Sequence, residues 1–97
     1  MEIDNQLQIE IKEDVANGNY ANLAVIAHST AEFVMDFICI MPNMSKAQVK
    51  SRVIMTPEHA KRFMLALQEN VMKYEKQYGN IHLPEQYVGG PRFKGDA

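Results

Sequence analysis

Tryptophan is missing from this sequence, and cysteine occurs once, as Cys39. A lone cysteine closes no disulfide within the chain and supplies no thiolate set for zinc. Cys39 lies in an apolar stretch with no His or Lys beside it, which reads as a small buried hydrophobe. His28, His59 and His82 share no H-x-x-H or H-E-x-x-H spacing, so neither a metal nor a cofactor is expected. Val88-Gly89-Gly90-Pro91 lacks the strand–loop–helix setting and the Lys-Ser/Thr of a phosphate loop. The longest apolar run, Phe33 to Met41, is interrupted by Asp36 and is too short to cross a bilayer. Met1-Glu2-Ile3-Asp4-Asn5 carries neither the basic nor the apolar region of a signal peptide. A cytoplasmic location is therefore expected.

What remains is an ordinary globular composition, 46% apolar and 23% charged, in 97 residues, which argues against disorder and allows one core only. Residues 1–83 read as a single domain and 84–97, with Gly89-Gly90-Pro91 and Gly95, as a flexible tail. The net charge of −2 conceals an asymmetry. Residues 1–45 hold seven acidic residues against one basic, whereas residues 46–76 hold seven basic against three acidic. That polarity suits complementary faces for self-association or a local basic surface.

Leu7, Ile9 and Ile11 alternate with polar residues, the period-2 pattern of a strand, and Asn17-Gly18 follows as a hairpin signal. Tyr20–His28 and Phe33–Met41 read as the next two strands. With Thr30 and Ala31 at the centre of the intervening turn, His28 faces Phe33 and Ile26 faces Met35. Gln48–Met55 reads as a fourth strand, with Val49, Val53 and Met55 on one side and Lys50, Arg52 and Ile54 on the other. Thr56 then suits an N-cap, Pro57 the first helical position and Gly79 the stop. Between them Ala60, Phe63, Met64, Leu67, Val71, Tyr74 and Tyr78 form one apolar stripe. Leu65 and Met72 lie off it, available to a second surface. The expected fold class is α+β, a four-stranded antiparallel sheet followed by one long C-terminal helix (ββββα).

The second and third strands are apolar on both faces, yet one helix stripe covers one face. The other would leave Leu23, Val25, Ala27, Val34, Ile38 and Ile40 against water. Burying five Val, Leu or Ile side chains is worth on the order of 10 kcal/mol before ordering costs, comparable to the whole stability of a small domain. Those six residues are the candidate dimer face, joined face to face or through a continuous sheet. Asp36 is the one charge on that face, and Arg52 or Lys50 on the next strand is a plausible mate, with Asp36 and Arg52 the candidate buried ion pair. Lys46, Lys50, Arg52, Lys61 and Arg62 form a candidate basic surface. No nucleophile–base pair is apparent, so no catalytic residue is assigned.

The strings His28-Ser29, Glu32-Phe33-Val34-Met35-Asp36-Phe37, Met41-Pro42, Lys50-Ser51-Arg52 and Thr56-Pro57-Glu58-His59-Ala60-Lys61-Arg62 resemble a family of short bacterial proteins known as domain of unknown function 3467. The resemblance runs from about Tyr20 to Gly79 and implies no activity. The expected order of elements is also similar, in topology and dimeric habit alone, to single-strand nucleic-acid-binding proteins of the transcriptional coactivator, Whirly and purine-rich-element types. The expected function is a non-enzymatic, homodimeric protein-interaction module. The alternative is a single-stranded nucleic-acid binder using the basic strand and helix face.

Overall fold

The computed structural model describes residues 7–84, in which the elements run α1 (Glu13–Ala16), β1 (Leu23–His28), β2 (Phe33–Cys39), β3 (Gln48–Met55) and α2 (Pro57–Tyr78). The three strands form one antiparallel sheet in the order β1-β2-β3. The fold is α+β and ends in a long helix, but the described residues hold three sheet strands rather than four.

The missing strand has a local cause. Leu7 to Lys12 makes one isolated bridge, at Gln8, and then turns into α1. The Lys12 carbonyl accepts from the amides of Val15 and Ala16 at 3.0 and 2.8 Å. Glu13 and Asp14 sit in that first turn, where acidic side chains favour a helix start. Gly18 does adopt positive φ, at 77°, but its amide closes the helical turn on Val15 at 3.0 Å. Asn17-Gly18 therefore ends α1 and makes no hairpin.

The β1–β2 hairpin has Ser29 and Glu32 at its neck, with the Ser29 amide donating to the Glu32 carbonyl at 2.9 Å. The Ser29 hydroxyl accepts from the Ala31 amide at 3.1 Å, which holds the turn. His28 faces Phe33 and Ile26 faces Met35, so Ala24, Ile26 and His28 share a face with Phe33, Met35 and Phe37. Val53 and Met55 join this Met35 face from β3. Leu23, Val25, Ala27, Val34, Asp36, Ile38, Arg52 and Ile54 make the opposite, Asp36 face.

Strand ends depart from the sequence reading at two points. Before β1, the Asn22 side chain stands in for a strand residue. Its amide donates to the Ile40 carbonyl at 2.9 Å and its oxygen accepts from the Ile40 amide at 2.8 Å. In β3, Ser51 pairs with Phe37 but Val49 pairs with Ile38, so Lys50 is the extra residue of a β-bulge. The bulge moves Val49 to the Asp36 face, away from Val53 and Met55.

Thr56 caps α2, its hydroxyl accepting from the His59 amide at 3.2 Å, and Pro57 occupies the first turn. Gly79 ends the helix at φ 101° and ψ 166°, with its amide on the Glu75 carbonyl. Two side-chain pairs brace the wet side of α2, Glu58 with Arg62 and Glu69 with Lys73. The core is small. Among the described residues, Met35 and Ala60 are the buried hydrophobics, and both line the space between the Met35 face and the start of α2.

Candidate functional site

The helix begins at the end of β3 and covers little of the sheet. A cleft of about 520 Å³ lies between them, lined on the sheet side by Ile26 of β1 and by Phe33 and Met35 of β2. Ala60, Lys61, Phe63, Met64 and Leu67 line it from α2, together with Pro57. That lining stops at Leu67, about one turn short of Val71 and about three turns short of Tyr78. At ~1.5 Å per residue, 22 residues make a rod of about 33 Å. Three strands at ~4.8 Å spacing give a sheet only about 10 Å across between outer strand axes. The rod is therefore far longer than the sheet is wide.

The apolar stripe of α2 is accordingly wet. Leu67 is 52% exposed, Tyr74 50% and Tyr78 67%. The rings of Tyr74 and Tyr78 tilt against each other at 4.9 Å, so the two aromatics form one continuous apolar block. Phe63, Met64 and Val71 on the same stripe, and Ile26 and Val53 on the Met35 face, are exposed as well. On its other side α2 has a shallow groove of about 340 Å³ that includes Leu65 and Met72 between Gln68, Glu69, Lys73 and Lys76.

On the opposite side of the sheet, Leu23, Val25, Val34 and Ile38 are half-buried, whereas Ala27 and Ile40 are exposed. Five of the expected interface residues, Leu23, Val25, Ala27, Val34 and Ile38, share this side, while Ile40 lies beyond the end of β2 with its backbone bonded to the Asn22 side chain. In their midst Arg52 grips Asp36 from directly across the β2–β3 ladder. Its Nε donates to Oδ1 at 2.7 Å and its Nη2 to Oδ2 at 2.8 Å, a two-pronged contact. The hydrogen bonds from Arg52 hold the Asp36 carboxyl below the usual carboxylate range, partial desolvation opposes this, and the guanidinium charge adds to it. The pair is half-open rather than buried, since the Asp36 side chain is 17% exposed and that of Arg52 61%.

The expected basic surface is divided between regions. Arg52 lies on the Asp36 face and is neutralised there, Arg62 is held by Glu58, and Lys61 lines the cleft on the other side of the sheet. Lys50 sits at the bulge and Lys46 in the exposed segment before β3. No continuous cationic track joins them. Cys39 is half-buried and free. His28 stacks on Phe33 with ring centroids 5.4 Å apart, so it extends the apolar Met35 face. Among the described residues no cluster of three or more His, Cys, Asp or Glu is placed to hold a metal ion. No helix there is long and apolar enough to cross a membrane.

The half-empty cleft was not legible in the sequence, because helical periodicity shows which side of α2 is apolar and says nothing of whether the sheet reaches it. The available signal was the length of the apolar stripe between Thr56 and Gly79 set against the short strands that precede it. The expected tail, residues 84–97, lies outside the described residues except for Pro84, while Ile81 and Leu83 are exposed.

A family model described as a protein of unknown function, DUF3467, matches residues 1–83. The match extends beyond the expected Tyr20–Gly79 at both ends, most at the N-terminus. No curated protein and no solved structure matches.

Proposed function

We propose that this chain, which belongs to the DUF3467 family, is a non-enzymatic interaction module that works as a homodimer and presents an apolar sheet face to a protein partner. The observation that carries this reading is the wet apolar stripe of α2 beside a half-filled cleft. Met64, Leu67, Tyr74 and Tyr78 are each at least half exposed, and only Met35 and Ala60 are buried hydrophobics among the described residues. A half-exposed large side chain leaves on the order of 100 Å² of surface in water. Met64, Leu67, Tyr74 and Tyr78, joined by Ile26, Val53, Phe63 and Val71 at somewhat over a third exposed, approach the roughly 800 Å² per partner of a standard specific interface. A monomer would hold that surface against water with almost no interior to offset the cost of ordering its chain.

A non-enzymatic role is supported by the state of the side chains. Asp36, the one acidic residue within the strands, has both carboxylate oxygens occupied by Arg52. That contact braces β2 against β3 and holds the Asp36 carboxyl in its ionised form, which makes it a poor proton donor.

Thermal unfolding over a hundredfold range of protein concentration tests the reading. Dissociation linked to unfolding contributes about 2.7 kcal/mol over that range, which raises the midpoint by about 5–10 °C for two chains of this size. A midpoint independent of concentration overturns it.

A further inference from the structure

The outer edge of β1 differs from the outer edge of β3. β3 carries Lys50, Arg52 and the bulge, devices that blunt an edge against pairing with another strand. β1, Leu-Ala-Val-Ile-Ala-His, is the other outer strand and carries no Lys, Arg, Asp, Glu or Pro. The direction of its backbone groups follows from the hairpin neck. The Ser29 amide bonds to Glu32, and hydrogen-bonded pairs alternate along an antiparallel ladder. Ala27, Val25 and Leu23 therefore turn their amides and carbonyls toward β2. Ala24, Ile26 and His28 turn theirs outward.

The helix points the same way. It starts at the end of β3, and the sheet residues under it belong to β2 and to β1. Its path thus crosses the sheet toward the β1 edge, and Val71, Tyr74 and Tyr78 lie past the last residue that lines the cleft. A second sheet placed edge to edge against β1 would lie beneath those three side chains.

We infer that two copies join through the outer edges of their β1 strands into one six-stranded antiparallel sheet, with the C-terminal half of each α2 resting on the partner's Met35 face. The inference rests on the homodimer reading and specifies its geometry. A two-fold axis relates the two β1 strands, so they meet antiparallel and the same patch serves both copies. Ala24, Ile26 and His28 supply the backbone hydrogen bonds, and Val71, Tyr74 and Tyr78 supply the apolar cover. This places the contact on the β1 edge and the helix-bearing face, and leaves Val25, Val34 and Ile38 on a doubled Asp36 face, open to a further partner.

The substitution Ala24→Pro tests the edge. Proline at this outward position removes one edge donor per copy while leaving the bonds to β2 in place. The expected result is a folded chain, by circular dichroism, that associates about tenfold or more weakly than the parent. A second measurement stands if the variant does not fold. In the unmodified protein, the amides of Ala24, Ile26 and His28 should resist hydrogen exchange in concentrated solution and lose that protection on dilution, whereas those of Val25 and Ala27 stay protected throughout. A parent that dimerises while those three amides exchange freely, or a folded Ala24→Pro chain that dimerises as tightly as the parent, overturns the edge geometry and leaves the homodimer standing. A parent that is monomeric at every concentration removes both.

Discussion

Leucine 67 sits where the account can be tested by a single truncation, because half of it belongs to its own chain and half is open. It lines the cleft against the Met35 face and is still 52% exposed. Full burial of a leucine is worth roughly 1.5–3 kcal/mol. The open half therefore represents about 1 kcal/mol per copy on association, or about 2 kcal/mol for the two copies of a dimer. Leu67→Ala should raise the dissociation constant by roughly 30-fold, more if the contact fails to close over the vacated volume. Sedimentation velocity across a dilution series reads this directly. The helix itself contributes the opposite sign, since alanine favours a helix slightly more than leucine does. A water-facing Leu67 would thus leave association unchanged and the helix no weaker. An unchanged dissociation constant refutes the reasoning.

Other outcomes follow from local features. Thr56→Ala removes the acceptor for the His59 amide at the start of α2 and should cost about 1 kcal/mol in chemical denaturation. Gly79→Ala meets no steric obstacle, as nothing lies within 4 Å of an added Cβ. Its φ of 101° and ψ of 166° nevertheless belong to a region open essentially to glycine, so backbone strain of about 1–3 kcal/mol should appear as a lowered melting temperature. Asp36 has a folded-state pKa below its ordinary value, so its pairing adds stability above the ordinary carboxylate range, near pH 4, and loses it as pH falls through the folded value. Asp36→Asn should therefore be less stable than the parent at neutral pH and should lose less on acidification below about pH 4. Fluorescent single-stranded oligonucleotides should show no salt-steep binding, because the cations of β3 and α2 are divided between faces. A steep salt slope would instead favour nucleic-acid recognition.

Elements whose signal is local were legible in the sequence. Thr56, Pro57 and Gly79 mark both ends of α2 by the chemistry of caps, and the β1–β2 register follows from a two-residue turn between Ser29 and Glu32. That Asp36 has a cationic partner on the next strand was legible, because a carboxylate in an apolar strand requires a cation across the ladder, and the ladder selects Arg52 over Lys50. The N-terminal alternation of Leu7, Ile9 and Ile11 misled because periodicity is silent on whether a neighbouring strand is within reach. The acidic turn at Glu13-Asp14 diverts the chain into α1 before a hairpin can form. The bulge at Lys50 was not legible, since an extra residue in a ladder carries no signature in this stretch. With three sheet strands instead of four among the described residues, the likeness in topology to the single-strand-binding proteins loses one of its elements. The exposure of the α2 stripe emerged only from the path of the helix relative to the sheet.

Static light scattering of the full chain, from micromolar to millimolar concentration, asks most directly whether the apolar rod and the cleft beside it are completed by another copy. A homodimer gives a plateau at twice the 11.1 kDa of one chain, with smaller species appearing only on dilution. A mass of one chain throughout that range would contradict it.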